Sequence, residues 1–363
     1  MKKNRRFSFD AVRCIAVFCI LLCHFNARYS FVYFGNDMKD YMLLSQYPFG
    51  LFLGDLGVSL FFIISGASLY YNYYDELNVL QFYKKRALSI YPMFWVAYLT
   101  LFIFRAKDML ASETPIGYML LTVTGMDGYL SGVLPNFYLI GEWFLGAIIL
   151  LYLIFPFIRY LYRYNKVLTW MIAMILYSVF VFFNLIPWLG KSSIIFIRIP
   201  EMLFGMEYAD ILCRKNGLET KKRLVSPASV RIIISVMILM VSSLAQTDWN
   251  NCIRTTLVGC AAFTILMEVS ENIFTGDRRS LEKISGICGR IAVYSYAIYL
   301  VHHVIIDMVC DRIDMLSLTL VKRIGLFAGL VTVIVVCGII LHEITQRAPL
   351  FFIRSAKMNK KNM

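Results

Sequence analysis

"DAVRCIAVFCILLCHF", residues 10–25, sets an acid, a guanidinium and an imidazole into a stretch that is otherwise lipid-soluble. A charge in hydrocarbon costs several kcal/mol unless it meets a partner or water, so ionisable residues inside spans usually mark function. On a helix turning about 100° and rising about 1.5 Å per residue, Arg13 and His24 share a face to within about 20°. They stand about 16 Å apart along its axis. Asp10, three residues before Arg13, is within pairing range. One stripe therefore carries Asp10, Arg13 and His24 from the mouth of the membrane to beyond its middle. Two roles fit Arg13, an interfacial salt bridge with Asp10 or a functional cation. Two fit His24, a hydrogen bond to a neighbouring helix or chemistry, and its depth favours chemistry.

The rest of the chain is built on the same pattern. Of its 363 residues, 59% are hydrophobic and only 16% charged, outside the balance of soluble domains. Apolar stretches long enough to cross a bilayer recur at 11–28, 50–72, 88–105, 136–158, 168–188, 193–212, 230–246, 252–270, 291–309 and 323–343. Pro135, Glu142, Arg198 and Glu201 interrupt the fourth and sixth. The expected fold is all-α, a polytopic membrane protein of about ten transmembrane helices forming one domain over 1–363 with no appended soluble domain.

A net charge of +13 raises the question of nucleic acid, but its distribution answers it. Lys and Arg gather at Lys2–Arg6, Lys84–Arg86, Arg159–Lys166, Arg214–Arg231, Arg278–Arg290 and from Arg354 onward. The segments 27–49, 106–132, 247–251 and 310–320 are poor in them. That alternation is the positive-inside pattern and places both termini in the cytoplasm of a multi-pass cell (plasma or inner) membrane protein, with the lipid bilayer and not nucleic acid as partner. The first span follows a basic start like a secretory signal, but no small-x-small cleavage site follows it. The nine Cys show no CxxC spacing and lie mostly in spans, so buried thiols are expected rather than disulfides or a metal site.

A second imidazole comes in "SYAIYLVHHVII" (295–306). His302 lies about twelve residues, or roughly 18 Å, from the inner end near Arg290, matching the depth of His24. His303 points about 100° away and need not share the role. His342 is expected at the inner interface. From the outer side enter Asp55, Glu142, Trp143, and Arg198 with Glu201 at ion-pair spacing. Acidic and aromatic groups there, with Tyr129 and Tyr138, suit a polyhydroxylated ligand or an interfacial belt.

"FSFDAVRCIAVFCILLCHF" (7–25) resembles the opening of the acyltransferase 3 family, with Asp10, Arg13 and His24 on its motif. "GVSLFFIISGASLYY" (57–71) is similar to its Phe-rich Ser-Gly span, through Phe61, Phe62, Ser65 and Gly66. "YKKRALSIYPMFW" (83–95) resembles its basic entry to the third span, with Arg86, Tyr91 and Pro92. "EWFLGAIILLYLIFP" (142–156), "RIPEMLFGM" (198–206) and "SYAIYLVHH" (295–303) resemble later elements in the expected order. Where many members carry a second third-span Arg, Ser89 stands here, leaving Lys84, Lys85 and Arg86 to meet acyl-CoA phosphates. Some members append an SGNH esterase-like domain; none is expected here.

The resemblance implies transfer of an acyl group, most often acetyl, from cytoplasmic acyl-CoA to a hydroxyl of a cell-envelope or exported polysaccharide. Acyl-CoA is then a substrate, and no bound cofactor or metal is expected. His24 is the base or the acyl carrier, with Arg13, Asp10 and His302 beside it in the catalytic set. Glu142, Trp143, Arg198, Glu201 and Asp55 are the substrate-binding candidates. An exporter of a lipid-linked sugar is the alternative from the same polar residues, and a sensor that has kept the fold without turnover is a third. Exporters often carry internal repeats and broken helices, and neither is evident here.

Overall fold

The computed structural model describes residues 5–32, 38–110, 114–183, 185–215, 227–245, 250–272 and 278–359. Parts of the basic clusters, Lys2–Lys3, Lys221–Arg223 and Lys360–Lys361, lie outside them. Among the described residues the structure is all-helical. In chain order the helices are α1 (Phe7–Val32), α2 (Leu53–Asn72), α3 (Val79–Leu110), α4 (Met119–Thr124), α5 (Asp127–Leu130), α6 (Trp143–Tyr164), α7 (Lys166–Phe182), α8 (Ile195–Lys215), α9 (Pro227–Leu244), α10 (Asn251–Asn272), α11 (Arg278–Cys310) and α12 (Leu320–Asn359).

Each of the ten expected stretches falls on one of these helices. Seven, α1, α2, α3, α6, α10, α11 and α12, are long and apolar enough to cross a membrane. α7 and α9 are apolar but shorter, and α8 carries Arg198, Glu201, Glu207 and Asp210 along its length. The fourth stretch starts later than its composition suggested. Pro135 removes a backbone donor and Gly141 takes a left-handed φ of +76°, so the helix begins at Trp143. Asn165 divides α6 from α7, its side chain accepting from the Leu168 amide at 2.9 Å as an N-cap.

The chain forms two compact units, one of Met1–Phe82 and Ala147–Val293, the other of Tyr83–Gly146 and Tyr294–Met363. In the first, α2 is buried on nearly all sides, as its unbroken apolar composition requires, and packs on α1, α8 and α10. Its closest neighbour is α8, through facing small residues. A Cβ on Gly66 would lie 2.1 Å from the Met202 carbonyl oxygen, and one on Gly205 would lie 1.9 Å from that of Ile63. Small residues at such crossings let backbones gain dispersion contact that lipid would otherwise supply. A buried polar set adjoins the same helix pair. Arg198, 2% exposed, donates to Glu201, 0% exposed, at 3.0 Å. Ser59 of α2 donates to the same carboxylate at 2.8 Å.

In the second unit, α3 presents Tyr91, Trp95 and Tyr98 on one face at helical spacing. They donate to the carbonyls of Thr124 (3.3 Å), Val123 (2.9 Å) and Phe137 (2.7 Å). Three polar-tipped aromatics thus hold the segment containing α4 and α5, which leads to Glu142.

Candidate active site

In the first unit the expected acid–base pair at the start of α1 is present. Arg13 Nη1 lies 3.5 Å from Asp10, and Asp10 is 4% exposed. Arg5 donates to the same carboxylate at 2.6 Å, and Arg13 donates to Ser68 Oγ of α2 at 2.6 Å. Asp10 is thus fixed between two guanidiniums, a geometry that charge-assisted bonds make stiff. His24, half-buried, stands further along α1. Asp55, in the first turn of α2, accepts from Asn251 at 3.1 Å. Arg198 and Glu201, expected at a substrate site, are enclosed and join α8 to α2.

The second unit gathers a carboxylate and two imidazoles. Glu142 sits directly before α6, where the turn at Gly141 delivers it. Its backbone pairs with Gly128 in an isolated bridge, an approach so close that a Cβ on Gly128 would lie 2.3 Å from the Gly141 carbonyl oxygen. The Glu142 carboxylate lies 3.0 Å from His303 Nδ1 and 4.0 Å from His302 Nε2. His302, 1% exposed, holds Nδ1 2.6 Å from the Tyr299 carbonyl. Only a protonated nitrogen bonds a carbonyl, so Nδ1 is the donor and Nε2, facing Glu142, is the nitrogen that can take a further proton. Tyr299 in turn donates to the Glu142 carbonyl at 3.3 Å.

His303 joins this set although its position on the helix is rotated from His302, because one carboxylate lies within reach of both rings. Its other nitrogen lies 3.5 Å from Asp307, one helical turn on. That i,i+4 pair was legible in the sequence; its meeting with Glu142 was not. Tyr138 faces the same group. Burial raises its phenol pKa, and the nearby Glu142 and Asp307 carboxylates add to the shift, so it stays a neutral donor. Trp143 is half-buried beside Phe144, and Tyr129 packs on Gly146. Lys84 and Lys85 on α3 are exposed and Arg86 is half-buried, with Ser89 bonding back to the Arg86 carbonyl at 2.9 Å. His342 meets the edge of the Tyr294 ring.

The described residues thus hold an imidazole oriented by a carbonyl and a carboxylate on a helix long and apolar enough to cross a membrane. A family model described as an acyltransferase domain, that of acyltransferase 3, matches residues 6–343 of the chain. The chain belongs to this family and is a membrane acyltransferase. No curated protein and no solved structure matches it.

Proposed function

We propose that the protein is an O-acyltransferase moving an acyl group, acetyl first among them, from cytoplasmic acyl-CoA to a hydroxyl of a cell-envelope or exported polysaccharide. The observation that carries this reading is His302, buried, fixed through Nδ1 and turned through Nε2 toward Glu142. Acyl transfer from a thioester needs a group to take the hydroxyl proton and donors to steady the oxyanion. The hydroxyl oxygen attacks the thioester carbonyl as its proton passes to an imidazole. The tetrahedral intermediate then collapses to the ester, and the thiolate leaves and takes up a proton. His24 is the base or the covalent acyl carrier, and His302 is the second imidazole of the reaction. Asp10 and Arg13 set the polar stripe of α1. Lys84, Lys85 and Arg86 meet the donor's phosphates, and Glu142, Trp143 and Asp55 meet the acceptor.

The test is glycan acylation per molecule of membrane-inserted protein in His302→Gln and Glu142→Gln. Both keep shape and hydrogen bonding but remove titration, and each should lose about 10² to 10⁴ in rate. Rates within threefold of wild type in both would contradict the assignment. The family favours the enzyme over the exporter, and an exporter would retain flux without acylation.

A further inference from the structure

We propose that His303 and Asp307 form a proton exit, carrying the proton of the acceptor hydroxyl from His302 and Glu142 to the outer aqueous phase. This rests on the acyl-transfer reading and extends it to two residues outside the catalytic set. The path turns on one oxygen. Glu142 Oε1 lies 4.0 Å from His302 Nε2 and 3.0 Å from His303 Nδ1. The far nitrogen of His303, Nε2, lies 3.5 Å from Asp307 Oδ2, one turn further along α11. The four side chains thus form a series of atoms that each hold or take a proton. Its longest step, 4.0 Å, is of the kind that tightens when substrate is in place.

Exposure rises along the series. The His302 side chain is 1% exposed, Glu142 20%, His303 40% and Asp307 36%. His302 commits its Nδ1 proton to the Tyr299 carbonyl, so the proton that Nε2 gains is the one it passes on, with Glu142 in front of it. A base and its carboxylate need nothing more to take a proton. A second imidazole on the same oxygen, with its own acid a turn further toward water, serves to remove one. Positive-inside reasoning runs α11 outward from Arg290, which puts Asp307 toward the acceptor side. The Tyr138 and Tyr299 hydroxyls also face Glu142; phenols ordinarily titrate near about 10 and do not compete for the proton.

The accounting closes. The hydroxyl proton passes to His302 Nε2, then through Glu142 Oε1 to His303 Nδ1, while His303 gives its Nε2 proton to Asp307 and so to outer water. The thioester C–S bond breaks as the ester C–O bond forms, and the thiolate takes its proton from cytoplasmic water. Water at the exposed edge of His303 then restores the proton on Nε2. Each transfer therefore consumes one proton inside and releases one outside.

The test counts those protons. Full-length protein is reconstituted in sealed vesicles holding de-O-acylated envelope polysaccharide and a pH-reporting dye, with valinomycin and potassium to collapse any potential. Acetyl-CoA is added outside, so only molecules with the cytoplasmic face outward turn over. The lumen should gain one proton for each ester formed. His303→Ala and Asp307→Asn should each lower kcat about tenfold, with both KM values within about twofold of wild type. Imidazole added to solubilised His303→Ala should restore kcat severalfold, which a merely structural histidine would not allow. If His303→Ala fails to insert, Asp307→Asn and the wild-type proton count carry the test. Ester formed without luminal acid would overturn the exit and leave acyl transfer standing. A loss in His303→Ala that imidazole does not restore would do the same, as would an unchanged kcat in Asp307→Asn. Wild type that forms no ester would overturn both.

Discussion

His24 and Asp127 pose opposite problems at the level of single side chains. His24 falls on the family motif and on the polar stripe of α1, so His24→Ala should insert normally yet lose about 10² to 10⁴ in transfer. His24→Gln, unable to titrate, should be nearly as inactive; if it keeps substantial activity per inserted molecule, the catalytic role passes to His302. Asp127 lies in α5, outside the spans, and is 2% exposed. Burial pushes its carboxyl pKa from an ordinary 3.8 up to about 6. A carboxyl with a raised folded pKa takes up a proton on folding. Its stabilising effect is therefore complete below about 4 and is lost as pH rises through about 6. Asp127→Asn, neutral and nearly isosteric, should raise the melting temperature in detergent at pH 7.5, with the gain shrinking toward zero by pH 4. A gain that does not change with pH would mean that Asp127 is not the titrating group.

Among the elements, the α2–α8 crossing makes the sharpest demand on sequence. Gly205→Ala places a methyl 1.9 Å from a backbone oxygen, with no flexible side chain to yield. The helices must part, at a cost of about 1–3 kcal/mol. Lower thermal stability and lower yield should follow, read by fluorescence-detected melting of the solubilised protein; a melt within one degree of wild type would refute the close crossing. The helices themselves were legible because a bilayer asks for long apolar runs, and the Asp10–Arg13 pair because helical spacing alone brings it together. The later start of α6 turned on the φ of Gly141, which composition does not encode. The convergence of Glu142 on both His302 and His303 depends on α3 holding the α4–α5 segment, a tertiary effect invisible to periodicity. Arg198 and Glu201 stand at ion-pair spacing, but their enclosure beside Ser59 of α2 could not be seen from that spacing.

For the whole molecule, the alternating basic clusters predict ten crossings with both termini inside. Reporter fusions after Lys166 and after Met363 should both read cytoplasmic, and an outside reading at either would break the count. In the proposed reaction, that topology would put the donor on one side and the polysaccharide hydroxyl on the other. Acyl transfer itself is tested with purified protein in sealed vesicles supplied with acetyl-labelled acetyl-CoA and an envelope polysaccharide. Wild type should leave label ester-linked to the polysaccharide, and His24→Gln should lose it. Polysaccharide movement across the vesicle membrane, with no label transferred, would contradict acyl transfer.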